Sequence, residues 1–392
     1  MSTIIDYLSE NKDKTFTQLP LNDSDILCIN EIGYFSYEKI ILNGNDLLQE
    51  IELMQVLHEY EDNKKDIEFD FLVTKARVEL LSLMATSERF KNLRLSHYVN
   101  EIDEEFEKQF AAMLFRLPQI NHNQMVFRGT DDSVIGWKED FQLTYVHEIP
   151  AHRSAISYLK DYLGQNEESI IVSGHSKGGN LALYAVTNLG EELQKRVSTV
   201  YLYDSPGLHE SDLKSDAYQL IREKLRVIRP EESIVGVMLY WDVTPLIVGS
   251  HYFGILQHAA VNWQVDVITG SFQLVEKATD LSLNLEKTFK QWNNDLSSQE
   301  LKLLADTLFD TLMASGVTSL NDLNSGSQLA AIISSFRSID SSKKTILIKS
   351  AKLFILAFAE HSQLANLEIP KIPLPEISLP DFRELKEKTK KK

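Results

Sequence analysis

Gly174-His175-Ser176-Lys177-Gly178 sets a serine between two glycines where two unlike segments meet. Before it, Ser169 to Ser173 (SIIVS) is rich in β-branched residues and reads as a short strand; after it, Asn180 to Leu189 has helical spacing. On such a sharp strand-to-helix turn the serine hydroxyl stands exposed above the sheet, and the flanking glycines remove side chains that would collide. The helix behind it points backbone N–H groups and a partial positive charge at the oxyanion of an acyl transfer. Gly and Ser are common in turns, so the five residues alone say little. The strand before and the helix after make Ser176 a candidate nucleophile.

A serine nucleophile needs a base and an acid, expected in the order Ser, acid, His. Only His209, His251, His258 and His361 follow Ser176. His361 ends a helical stretch far downstream, and His209 follows Asp204 too closely within one loop. Pro245 to Gly249 reads as the last central strand, and His251 and His258 lie on the loop beyond it, where a general base is delivered. His258 is the preferred base and His251 the alternative. Asp204 closes the strand Val197 to Tyr203, at the carboxyl edge where open α/β sheets bind ligands. An aspartate opening a Pro-Gly turn looks the same without any catalytic role. Glu231 and Glu232 follow the next strand, and Asp242 lies in Trp241-Asp242-Val243; Asp204 is preferred and the other three stay open.

The surrounding pattern supplies elements to hold these residues. From 109 to 275, Gln109 to Phe115, Gln124 to Phe127, SIIVS, VSTVYLY and Leu225 to Ile228 read as strands, with helices at Ala151 to Leu163, Asn180 to Leu189 and Leu213 to Lys224. Strands and helices alternating in this way predict a mostly parallel sheet with helices on both faces. Residues 1–108 read as a mostly helical part packing on this core. Residues 276–364 read as a helical appendage, with a capping box at Ser297 to Glu300 and Leu301, Leu304, Ala305, Leu308 and Leu312 at helical intervals. The stretch 365–392 carries Pro370, Pro373, Pro375 and Pro380 and ends in three lysines, a pattern for an extended tail.

Phe127-Arg128-Gly129-Thr130, Gly136-Trp137-Lys138-Glu139-Asp140 and Gly174-His175-Ser176-Lys177-Gly178-Gly179 together resemble the class 3, fungal-type lipases, and more closely a bacterial branch of α/β-hydrolases related to them. The resemblance covers 109–268 and implies an α/β-hydrolase-like fold. It also implies an oxyanion hole formed by Thr130 and the backbone N–H of Lys177. The same branch carries a Gln-His pair near a Trp, as in Gln257-His258 and Trp263 here. Lys177 stands where those lipases have an apolar residue, which points away from a strongly lipophilic pocket.

Composition narrows the remaining classes. A formal net charge of -17 gives no basic field to neutralise phosphates, so nucleic-acid binding is not expected. The one cysteine, Cys28, permits no internal disulfide and fits a reducing, cytoplasmic setting. The N-terminus shows no signal-peptide pattern. The apolar run Thr345 to Ala359 is interrupted by Lys349 and Lys352 and is too short to span a bilayer. Lys343-Lys344 and the terminal lysines offer at most a weak peripheral contact with an anionic membrane surface. No nucleotide or metal motif appears, so neither a cofactor nor a metal is expected. The reading is a serine hydrolase acting on a small acyl-bearing substrate, as a lipase-like esterase. An amidase or peptidase on the same triad, and a silent fold used for binding, are the alternatives.

Overall fold

The structure, a computed structural model, describes residues 2–41, 49–65, 74–103, 105–131, 133–317, 331–332, 334–336 and 338–362. Its centre is one eight-stranded sheet in sequential order: β1 (Ile51–Glu52), β2 (Arg94–Asp103), β3 (Lys108–Leu117), β4 (His122–Phe127), β5 (Ile170–His175), β6 (Val197–Tyr203), β7 (Leu225–Pro230) and β8 (Leu246–Val248). Pairs from β1 to β4 are antiparallel, and those from β4 to β8 are parallel.

Sequential order has a consequence for packing. Right-handed crossovers that step always in one direction put their helices on one face of the sheet. Helices Pro150–Gln165, Lys177–Thr187 and Asp216–Ile221 do this: Ala155, Leu159, Leu183 and Ile221 join Ile170, Val172, Val200 and Leu202 in one apolar cluster. The alternate strand residues Tyr201, Tyr203 and Ile228 face the other way, and the chain must cover them from elsewhere. Helices Ile4–Asn11, Asp23–Ile32 and Lys75–Thr86 do so with Ile4, Leu27, Ile29, Leu81 and Met84. Gln124 ties this layer to the sheet, donating to Ile26 O at 3.0 Å and to Ser173 Oγ at 2.9 Å.

One expectation needs correcting here. The sheet does not begin at 109, because β1 and β2 belong to it and lie within the part read as helical. The alternation expected of a strand is broken in β2 by a bulge between Ser96 and Val99, where His97 takes φ 54°. The period-2 signal is lost over the very residues that would carry it.

Beyond β8 the long elements are the helices Asp280–Asp295, Ser298–Ala314 and Ser341–His361. Helix Ser298–Ala314 is clamped to the core: Lys138 Nζ lies 2.8 Å from Asp310 Oδ1, 3.4 Å from Asp306 Oδ1 and 2.7 Å from Glu107 Oε1. Residues 363–392, which include the proline-rich tail, lie outside the described residues. Among the described residues no helix is long and apolar enough to cross a membrane.

Candidate active site

Ser176 sits between the end of β5 and the helix Lys177–Thr187, with φ 58° and ψ -133°. A non-glycine residue with positive φ persists only where its surroundings over-determine it. Here the Ser176 N–H donates to Tyr203 O at 2.9 Å, and strand and helix close tightly around the turn. A Cβ on Gly174 would meet Gly178 C at 2.3 Å, and one on Gly178 would meet Phe127 O at 2.1 Å. Both obstacles are backbone, so only glycine fits at either position. The first N–H groups of the helix lack intrahelical partners and carry the positive end of its dipole.

His258 and Asp204 meet across 54 residues of chain: His258 Nδ1 lies 2.7 Å from Asp204 Oδ2. Asp204 is buried and also has positive φ, 38°. Its Oδ1 accepts the Ser233 hydroxyl at 2.5 Å and the Gly236 N–H at 3.1 Å. Gly236 is required there, because a Cβ would come within 2.5 Å of Asp204 Oδ1. A carboxylate so supplied with donors accepts Nδ1–H, leaving Nε2 of His258 as the proton acceptor.

The other candidates go elsewhere. Glu232 Oε2 accepts the Gly254 N–H at 2.5 Å, and the Glu231 backbone pairs with Val248. Asp242 accepts the Tyr218 hydroxyl and Arg222 Nε. His251 is exposed and bonds through its backbone to Asn262. His209 faces Val146 O and stacks near His147.

Ser176, His258, Thr130 and Lys177 border one cavity of about 570 Å³. Its walls are largely apolar, with Trp137, Phe141, Leu239, Ile255, Leu256 and Phe309 among them. Ile255 and Leu256 are 57% and 58% exposed, so the cavity opens beside them. Phe309 belongs to helix Ser298–Ala314, so this helix forms part of the cavity wall. The expectation drawn from Lys177 is overturned. Its ammonium turns away from the cavity into a buried ion pair with Glu139, 2.6 Å away, and leaves the pocket lipophilic. The Thr130 hydroxyl donates to Asp140, whose carboxyl burial pushes up to about 6.

Two side chains that sequence reasoning passed over hold His258 in place. His175 is buried between Tyr34 and His258, its ring centroid 4.5 Å from that of His258. Burial, together with the neighbouring imidazole and Arg77, holds its pKa well below the usual histidine range, so the ring is neutral. Its Nε2–H donates to the His258 carbonyl at 2.7 Å, and Nδ1 accepts the Tyr34 hydroxyl at 2.5 Å. The place of His175 beside Ser176 was a usable signal; nothing in the sequence ties Tyr34 to it. Among the described residues no group of three or more His, Cys, Asp or Glu is arranged to hold a metal ion.

A mostly parallel sheet covered on both faces, with a serine elbow at the carboxyl end of β5, defines an α/β-hydrolase-like fold. The chain belongs to the Mbeg1-like family, whose model matches residues 84–310. Among solved structures it is similar to M37 lipase (13% identity, 56% of this chain and 70% of that chain, TM-score 0.36). It is also similar to a fungal lipase–inhibitor complex (15%, 59% and 81%, 0.34) and to the native Rhizomucor miehei lipase propeptide complex (14%, 67% and 75%, 0.34). No curated protein matches.

Proposed function

We propose that this chain is a serine hydrolase that cleaves carboxylic esters of acyl-bearing molecules. Ser176 Oγ attacks the ester carbonyl while Nε2 of His258 takes its proton, and Asp204 stabilises the imidazolium. The main-chain N–H groups of Lys177 and Thr130 face the developing oxyanion. The imidazolium then protonates the departing alkoxide, and water, activated by the same histidine, releases the acid from Ser176. The observation that carries this reading is the 2.7 Å pairing of His258 with the buried Asp204 at a cavity that also exposes Ser176.

The apolar wall favours acyl chains over short polar acyl groups. Hydrolysis of p-nitrophenyl acetate, butyrate and hexanoate measures this. Each methylene buried contributes about 0.8 kcal/mol, so kcat/KM is expected to rise about fourfold per methylene until the cavity is filled. A flat or falling series would speak against an acyl pocket. Turnover of anilides at rates matching the esters would favour the amidase alternative.

A further inference from the structure

Both proposed arms of the oxyanion hole lead back to one buried cation. Lys177 offers its main-chain N–H as one arm. Its side chain runs under the site, 1% exposed, and its Nζ contacts Glu139 Oε2 at 2.6 Å, Gln109 O at 3.0 Å and Gln109 Oε1 at 3.2 Å. Those contacts use its three protons. The same Nζ stands 3.7 Å from Asp140 Oδ1, and Asp140 Oδ2 accepts the hydroxyl of Thr130, whose main-chain N–H is the other arm. We propose that the Lys177 side chain is a positioning residue that fixes both arms of the oxyanion hole, through Glu139 to its own helix start and through Asp140 to Thr130. The inference rests on the reading of Ser176 as nucleophile.

The anchoring is complete at one end. Glu139, fully buried, accepts the Gln109 N–H and the Ala151 N–H, each at 2.9 Å, and so links β3 and helix Pro150–Gln165 to the first residue after the nucleophile. At the other end compensation is by charge alone, because Asp140 Oδ1 is buried without a hydrogen-bond partner. The ion pair itself is not required for stability in general, since a buried pair replaced by well-packed apolar residues is often neutral or stabilising. What an apolar pair could not do is hold the Asp140 charge that orients Thr130.

The groups facing Asp140 are Lys177 from the elbow helix, Glu139 on its own helix, Asp131 and Thr130 from the loop after β4, and Tyr34 from the N-terminal layer. Burial raises the Asp140 carboxyl, Lys177 lowers it, and Glu139 and Asp131 raise it again. Without the lysine charge Asp140 takes up its proton at higher pH and ceases to be an anionic acceptor for Thr130. Activity is then lost earlier as pH falls.

The test compares the wild type with Lys177→Met/Glu139→Gln, which removes both buried charges and keeps the volume. Melting temperature is expected to fall by several degrees, because an amide at position 139 can accept from only one of the Gln109 and Ala151 N–H groups. With p-nitrophenyl butyrate, kcat is expected to fall roughly ten- to a hundredfold at nearly unchanged KM, less than the ~10²–10³ that loss of one oxyanion donor costs. The acid limb of kcat should move to higher pH, and that movement should vanish in an Asp140→Asn background. Asp140→Asn in the wild-type chain keeps the ion pair and gives a second arm that does not depend on the double variant folding; it too should lower kcat at constant KM. A folded double variant, or an Asp140→Asn variant, with wild-type kcat and pH profile overturns the inference. A wild type that turns over no ester and takes up no serine-directed probe sinks the underlying reading instead.

Discussion

Ser176→Ala is expected to lower ester turnover by roughly 10⁴- to 10⁶-fold, the range seen when one member of a triad that works as a unit is removed. Its melting temperature should remain close to wild type. The hydroxyl is the only group lost, and the turn is held by contacts that alanine keeps: the Ser176 N–H to Tyr203 O, and the close approach of Gly174 and Gly178. Turnover near the wild-type level in a folded variant would remove Ser176 from the chemistry. The fold would then stand as a binding module.

The second large effect belongs to Asp204. Asp204→Asn is expected to cost about 10⁴-fold in kcat, because an amide beside Nδ1 favours the wrong imidazole tautomer. Geometry should change little, since an asparagine oxygen can still accept from Ser233 and Gly236. Asp242→Asn is the natural control. Its carboxylate serves Tyr218 and Arg222, away from His258, and turnover should stay near wild type. The reverse ranking of the two variants would mean that the acid has been misassigned.

What could be read from the sequence was local. Strand, elbow and helix are contiguous from 170 to 187, so residue types and spacing revealed Ser176 and its setting together. Asp204 and His258 were reached by chain order and by their places at strand ends, which left three other carboxylates and one other histidine open. Choosing among them takes the fold, because the Asp204 side chain meets His258 only once the loop after β8 comes back past β7 to the end of β6.

Other features were hidden for physical reasons. The bulge at His97 erased the alternation of β2, and with it the true extent of the sheet. The need for an N-terminal helical layer follows from sequential strand order, which a single sequence does not display. Lys177 misled because a sequence gives a side chain's position along the chain, not its direction. Pointed outward it would have made the cavity polar; pointed at Glu139 it leaves the cavity to Trp137, Phe141 and Phe309.

The central claim is that Ser176 is an activated nucleophile, and covalent labelling tests it most directly. The full-length protein is treated with an alkyl fluorophosphonate and its intact mass measured, and the adduct is then located by peptide mapping. The account predicts one adduct per chain, on the peptide carrying Gly174-His175-Ser176-Lys177-Gly178, lost in Ser176→Ala and strongly slowed in His258→Ala. A folded wild-type chain that takes up no probe, or takes it up on another residue, would contradict the account.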